Sequence, residues 1–331
     1  KTNILEALYF FKFGRSFRTK RDNDLIRFDE AFCRAEVEAE YKDGTIDRLT
    51  VAIERGGHKH LKINGEGLPK LAELVGRYPI VLFGPQDLIL VAGFAVERRR
   101  FLDMTGSMTD PRYLDAVRQY RRVLNQRNAS LKLGGSTRER HTWNEELIKR
   151  GCALLEKRMQ LVESLKDHLT PHLSRMSVSY PLYIEYESEL IADLPEGVSR
   201  EENFAARLAA VEGDESRRKT TLVGPHRDDL RIVADGKDLR RFGSQGQRRL
   251  FVVLARLAEL AYLENELGEP CVLLLDDLFS ELDSEISGKL KHLLQDGRQI
   301  FVTSPVPIEW DGTENVKSFQ VSDGRVTATA P

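Results

Sequence analysis

The chain has 331 residues, enough for one large domain or two ordinary ones with a substantial core. Its composition, 41% hydrophobic and 31% charged, excludes fibrous and low-complexity classes, and no apolar run approaches the roughly 20 residues a membrane helix needs. Three widely spaced cysteines, Cys33, Cys152 and Cys271, argue for a reducing, cytoplasmic setting with neither a disulfide framework nor a zinc site.

The net charge of −2 conceals an uneven distribution. Residues 98–140 hold eleven Arg/Lys against four Asp/Glu, residues 217–249 hold ten against four, and residues 181–216 hold two against ten. Two basic blocks of this kind fit a localised phosphate-binding face. A solvated helix face explains any single one of them.

The chain opens Lys1-Thr2-Asn3 without an initiator Met, which reads as a partial or trimmed sequence. Ile4, Leu5, Leu8 and Phe11 recur at helical spacing, so a helix is expected from the start. Residues 32–63 alternate and carry turn signals at Asp43-Gly44 and Gly56-Gly57, the pattern of a β-meander. Pro79 to Phe83 is a short buried strand ended by Gly84-Pro85. From Val96 to His172 the period is helical, with a break at Gly134-Gly135-Ser136, which predicts two or three long helices in a protruding lobe. Strand character returns at Ser177–Tyr186, and a helix is expected over Arg200–Val211. Then come a strand near Leu230–Val233, a helix over Ser244–Leu267, a strand at Cys271–Asp276, a helix over Asp283–Leu294 and a strand at Gln299–Thr303. A last strand, Val316–Val321, and the Asp323-Gly324 turn close the chain. The expected architecture is an α/β head built from both chain ends, 1–95 and 215–331, with a mainly helical lobe, 96–214, inserted between them.

Val272-Leu-Leu-Leu-Asp276-Asp277 is the strongest local signal. An apolar strand ending in two carboxylates is the layout of a nucleotide-hydrolysis site, because ligands of α/β sheets gather at the C-terminal strand ends. Asp276 would hold Mg²⁺ through water, and Asp277 would polarise the attacking water. A strand running into a helix N-terminus gives the same pattern, so the motif alone is only suggestive.

Ser244-Gln245-Gly246-Gln247 opens a long apolar-periodic helix about thirty residues before that carboxylate pair. A serine hydroxyl, an exposed glycine amide and a helix dipole together bind an anion. In isolation an ordinary serine N-cap is the simpler reading. Beside the Asp pair, however, this stretch resembles the signature motif of ABC ATPases, where the anion is the γ-phosphate of ATP held by the opposite subunit. Ser280-Glu-Leu-Asp283 resembles the ABC D-loop, and Lys1-Thr2-Asn3 resembles the tail of a Walker A loop. In that role Lys1 would meet the β- and γ-phosphates and the Thr2 hydroxyl would meet Mg²⁺.

Three less generic segments narrow the family: Glu97-Arg-Arg-Arg-Phe-Leu-Asp103, Gly224-Pro-His-Arg-Asp-Asp-Leu230 and Leu274-Leu-Asp-Asp-Leu-Phe-Ser-Glu-Leu-Asp283. They resemble RecF-family signatures, occur in RecF order, and the resemblance spans nearly the whole chain. It implies an ABC-type ATPase head that binds single- and double-stranded DNA at gaps. It further implies dimerisation on ATP, slow hydrolysis, and work with RecR and RecO in recombinase loading and the SOS response. ATP and Mg²⁺ are the implied cofactors. Lys1, Thr2, Asn3, Gln86, Ser244, Gly246, Gln247 and Asp283 would contact nucleotide, Thr2 and Asp276 would hold the metal, and Asp277 and Ser304 would serve catalysis.

The sequence departs from the family pattern in three places. Pro85-Gln86-Asp87 stands where the family has Pro-Glu-Asp, and Gln86 reads either as the Q-loop residue or as a turn residue. Phe94-Ala95 replaces a proline before the triple arginine. Thr303-Ser304 occupies the switch position where transporter ATPases carry histidine, and a hydroxyl cannot supply the positive charge of an imidazolium.

Arg98, Arg99 and Arg100 fan out over different faces of a helix, so at least one is expected in a structural ion pair. Arg118, Arg121 and Arg122 share one face and are the better DNA-backbone candidates. His226 and Arg227 would either contact phosphate or cross-link the head to the lobe. Three competing readings remain at this point. An ATPase subunit of a membrane transporter is disfavoured by the helical insertion and the missing switch histidine. An ABC-headed nuclease would need a further metal-binding domain. An inert head fragment would follow if no glycine loop precedes Lys1.

Overall fold

Helix α1 (Thr2–Phe13) buries Leu5, Tyr9 and Phe10 and ends where Gly14 turns left-handed at φ 67°. A side chain at Gly14 would run into Leu71, so this helix end depends on glycine. The computed structural model describes residues 1–134, 136–192, 194–294, 297–308 and 316–329. They form two compact units, 1–85 with 270–331, and 86–269.

After α1 the first unit continues into the expected meander. Strands β1 (Phe32–Glu40), β2 (Ile46–Glu54), β3 (Lys59–Ile63) and β4 (Glu66–Gly67) pair antiparallel in sequence order. Leu49, Val51 and Ile53 alternate onto the buried face of β2, and Leu61 and Ile63 join them from β3. Near the start of β2, burial acts to raise the Asp47 carboxyl, but the hydrogen bonds it accepts from Tyr78, Asn64, Arg77 and Tyr41 outweigh this and hold it down at about 2. Strand β5 (Ile80–Phe83) closes this part and is buried throughout.

The second unit is mainly helical. A short α2 (Ile89–Ala92) precedes α3 (Ala95–Thr109), α4 (Pro111–Leu133) and the 39-residue α5 (Thr137–Arg175). Asp110 caps α4 ahead of Pro111, and Ser136 caps α5. Gly134 ends α4 left-handed, while Gly135 of the expected break lies outside the described residues. Strand β6 (Leu182–Glu187), α6 (Glu189–Ala192), α7 (Arg200–Ala210) and α8 (Glu212–Arg218) follow. Then β7 (Asp229–Ala234) pairs antiparallel with both β6 and β8 (Lys237–Asp238). The unit ends with α9 (Leu239–Phe242) and α10 (Gln245–Leu267), whose apolar face packs along α5 and α3. The segment from β7 to α10, assigned from sequence to the 215–331 half of the head, therefore clusters with the helices of 86–269.

The chain then returns to the first unit with β9 (Val272–Asp276), α11 (Ser284–Leu294) and β10 (Ile300–Thr303). β9 lies between β5 and β10 in a parallel sheet, in register Phe83↔Leu275 and Thr303↔Asp276. Cys271, Leu273, Leu274 and Leu275 are almost fully buried, which is why β9 reads as an unbroken apolar run. The last expected strand is present as β11 (Phe319–Ser322), which hairpins through Asp323-Gly324 into β12 (Arg325–Ala328). No described helix is long and apolar enough to cross a membrane.

Candidate functional site

The parallel sheet delivers Asp276 and Asp277 at the C-terminal end of its central strand. The Thr2 hydroxyl, on the first turn of α1, donates to Asp276 Oδ1 at 2.8 Å, and the Thr303 hydroxyl donates to the same oxygen at 2.7 Å. Thr303 returns the contact through its backbone carbonyl, which accepts from the Asp277 amide at 3.1 Å, and its hydroxyl oxygen lies 3.2 Å from that amide. Asp277 sits left-handed at φ 49°, a region where aspartate is better tolerated than most residues. Its Oδ1 is buried without a hydrogen-bond partner among the described residues. Lys1 Nζ donates to the Ser304 carbonyl at 2.6 Å, while Ser304 Oγ accepts from the Val306 amide at 3.2 Å.

Lys1, Thr2, Asp276, Asp277, Thr303 and Ser304 are thus brought together, although the chain separates the two ends by more than 270 residues. A hydroxyl that spends its proton on a carboxylate keeps its oxygen lone pairs for a cation. Thr2 and Asp276 therefore fit a magnesium ion, which takes few protein oxygens and keeps several waters. The unpaired Asp277 oxygen fits a nearby water as acceptor. Among the described residues no cluster of three or more His, Cys, Asp or Glu side chains offers a denser metal cage. Asn3 stands apart from this group of contacts, since its Oδ1 accepts from Arg18 at 2.9 Å.

Downstream, Ser280 Oγ donates to the Asp277 carbonyl at 2.9 Å, and Asp283 caps α11 by accepting from the Ile286 amide at 2.8 Å. The D-loop-like segment is therefore braced at both ends.

In the second unit Ser244 is the N-cap of α10 in a reciprocal capping box. Its Oγ accepts from the Gln247 amide at 3.2 Å, and Gln247 Oε1 accepts from the Ser244 amide at 2.9 Å. The cap uses a lone pair of Ser244 Oγ and leaves the hydroxyl proton to donate outward. A side chain at Gly246 would meet nothing closer than Ser244 Oγ at 4.0 Å, so a ligand can approach that turn of backbone. Capping and anion binding are compatible here. Gln86 is exposed on the single helical turn Pro85–Leu88.

The arginines divide sharply. Arg98 is buried and forks onto Asp229 at 2.7 and 2.8 Å while also reaching the Leu90 and Gly93 carbonyls. Arg99 donates to the Asp228 carbonyl. Two of the three consecutive arginines are thus structural. Arg121 pairs with the buried Asp103 at 3.1 Å, whereas Arg118 and Arg122 are exposed and carry no ion pair among the described residues. His226 is held between the Tyr120 hydroxyl, 2.7 Å from Nδ1, and the Thr221 carbonyl, 3.0 Å from Nε2. That carbonyl requires a proton on Nε2, so Tyr120 donates to Nδ1. Burial pushes the imidazole down to about 4, so His226 is a neutral structural bridge within the second unit. Arg227 is exposed.

Sequence reasoning missed the buried cations Arg127 and Arg158 and the half-buried, doubly paired Arg256. A signal for them existed. Arg158 follows Leu154 and Leu155 and precedes Leu161 and Val162, so its helical position falls inside the apolar stripe of α5.

No family model matches the chain. The chain is 34% identical to the DNA replication and repair protein RecF of Oceanobacillus iheyensis over 337 residues, covering 98% of this chain and 90% of the relative. The chain belongs to the RecF family. RecF of Geobacillus kaustophilus is similar at 35% over 338 residues, covering 99% of this chain and 90% of its own length. Among solved structures, the recombination mediator protein RecF with ATP, of the RecFOR pathway, superposes with a TM-score of 0.88 at 32% identity, covering 99% of this chain and 88% of that one. The head of an Smc protein bound to the C-terminal winged-helix domain of ScpA is similar in fold alone, with a TM-score of 0.53 at 14% identity over 99% of this chain and 85% of that one. As a RecF-family member with this fold, the protein has the ABC-type ATPase architecture and a role as a recombination mediator in DNA repair.

Proposed function

We propose that this RecF-family protein is an ATP-gated DNA clamp acting in the cytoplasm, and that it hydrolyses ATP slowly with Mg²⁺ as cofactor. The observation that carries the reading is the Thr2–Asp276–Thr303 hydrogen-bonded group beside an unpaired Asp277 oxygen, at the C-terminal end of a parallel sheet. Lys1 faces the phosphates, Thr2 and Asp276 hold the metal, and Asp277 orients the attacking water. Asn3, Gln86 and Ser304 contribute around the nucleotide. Two copies share each nucleotide head to tail, so Ser244, Gly246 and Gln247 of one copy meet the γ-phosphate held by the other, with Asp283 lining the junction. RecR and RecO are the partners, and single- and double-stranded DNA at gaps is the substrate surface, in support of recombinase loading and the SOS response. Support for these details comes from the RecFOR context and ATP of the similar RecF structure, together with the geometry above.

The central test is Ser244→Arg. The variant should bind ATP nearly as the parent does, because the signature serine serves the partner's nucleotide, yet it should remain monomeric in sedimentation with ATP. An ATP-dependent dimer of this variant would overturn the head-to-tail reading.

DNA contact should run through backbone phosphates on the exposed face of α4. Arg118→Ala with Arg122→Ala should weaken binding to all sequences alike and reduce the salt slope by about 1 for each phosphate no longer neutralised. Arg121→Ala should do less to the slope, since Arg121 already pairs with Asp103. Titrations at several salt concentrations check this, and an unchanged slope in the double variant would move the DNA face elsewhere.

A further inference from the structure

Two hydroxyls reach Asp276, and both reach the same oxygen. Thr2 donates to Oδ1 at 2.8 Å from the first turn of α1, and Thr303 donates to it at 2.7 Å from the neighbouring strand. Thr303 stands opposite Asp276 in the parallel pairing of β10 with β9, so the two side chains share one face of the sheet at its C-terminal end. A carboxylate oxygen offers two lone-pair directions, and both of those on Oδ1 are taken. Oδ2 makes no hydrogen bond among the described residues. The Thr303 hydroxyl has one further neighbour, the Asp277 amide at 3.2 Å, but that amide already donates to the Thr303 carbonyl at 3.1 Å. The turn at Asp277 thus has a backbone anchor of its own, and the distinctive contact of the hydroxyl is the one to Asp276. Its single proton is committed there and is not free for a phosphate oxygen.

Mg²⁺ and Ca²⁺ ask different things of a carboxylate. Mg²⁺ keeps several waters in a near-ideal octahedron and uses one or two carboxylates, whereas Ca²⁺ takes about 6–8 oxygens and often both oxygens of one carboxylate. With Oδ1 occupied twice, Asp276 can serve a cation or its water through Oδ2 alone. We propose that Thr303 is a specificity-determining residue that selects Mg²⁺ over Ca²⁺, by holding Asp276 so that only one of its oxygens faces the cation. The proposal rests on the assignment of the metal to Thr2 and Asp276 above. Thr303 acts through Asp276, as a positioning residue.

Thr303→Val removes the hydroxyl with little change of shape, and valine suits a half-buried strand end. Binding of a fluorescent ATP analogue, titrated separately with magnesium chloride and with calcium chloride, reads the effect without relying on turnover. The parent should reach half-maximal binding at less Mg²⁺ than Ca²⁺. In Thr303→Val the Mg²⁺ requirement should rise about tenfold, the lower end of the roughly 10–100-fold lost when a group that orients a metal ligand is removed. The Ca²⁺ requirement should stay or fall, so the preference for Mg²⁺ should drop by about tenfold or more. Thr303→Ser, which keeps the hydroxyl, should restore it. A residue that merely supports the strand end predicts another result, since valine would then shift both cations alike and leave the preference where it was. Thr303→Ala also lacks the hydroxyl and should show the same lost preference if Thr303→Val folds poorly. Asp276→Asn run beside these variants separates the outcomes. An unchanged Mg²⁺ requirement in Asp276→Asn would sink the metal assignment itself. A raised requirement in Asp276→Asn, together with parent-like preference in Thr303→Val and Thr303→Ala or no restoration by Thr303→Ser, would overturn selection by Thr303 alone.

Discussion

Asp277→Asn is expected to keep ATP binding and to lower hydrolysis by about 10²–10⁴-fold, the usual worth of a positioned general base. The backbone amide of Asp277 is tied to Thr303, and its side-chain Oδ1 takes no part in the Thr2–Asp276–Thr303 hydrogen bonds. The amide of asparagine nearly matches the carboxylate in size, so the turn and the Thr2–Asp276 contact should survive while the proton acceptor is lost. The variant should therefore accumulate as an ATP-bound dimer on DNA. The parent itself should be slow. Aspartate reaches one methylene less far than the glutamate found in most ABC ATPases, and a base must come within about 2.6–3.2 Å of its water. Thr303-Ser304 also offers hydroxyls where an imidazolium would stabilise charge in the transition state. Turnover measured with DNA present tests both halves. Many turnovers per second in the parent, or near-parent turnover in Asp277→Asn, would mean that another group activates the water.

The largest stability effect is expected at Arg158→Met, a loss of about 3–5 kcal/mol, because one partner of a buried ion pair is removed and the other is stranded. Arg158 forks onto Asp103 at 3.0 and 3.1 Å and donates to the Pro225 carbonyl at 2.7 Å, with the Tyr186 hydroxyl at 3.4 Å. Without it, Asp103 keeps only the largely exposed Arg121 as a charged partner among the described residues, and the Pro225 carbonyl loses the Arg158 donor. Nearby, burial pushes the Asp228 carboxyl up to about 6, against hydrogen bonds from Tyr186 and Ser188 and the attraction of Arg158 and Arg99. Losing the Arg158 charge should raise it further. Adding Asp103→Leu to Arg158→Met should recover much of the loss, since an apolar pair costs no charge desolvation. Denaturant unfolding of the single and double variants checks this. A single variant within about 1 kcal/mol of the parent would show that the pair is solvated in solution.

Local order along the chain was legible because it depends on short-range periodicity and turn chemistry. The alternation of β2, the apolar run of β9, the three long helices of 95–175 and the Asp323-Gly324 hairpin all follow from residues close in sequence. The Asp276-Asp277 pair was legible for the same reason, as two carboxylates at the end of a buried strand. The convergence of Lys1 and Thr2 on Ser304 and Asp276 is different, because no spacing rule links residues 274 positions apart; sequence suggested it only through motif order. Tertiary structure alone decided the fate of the charges. Arg98 and Arg118 look alike in a basic block, yet one is locked onto Asp229 and the other is exposed. The difference lies in which helix face meets a neighbouring element. It also decided that α10 clusters with α5 and α3 in 86–269, since a helix's apolar stripe states that it must be covered but not by what. Burial of charge depends on partners brought from far along the chain, and sequence periodicity carries no record of them.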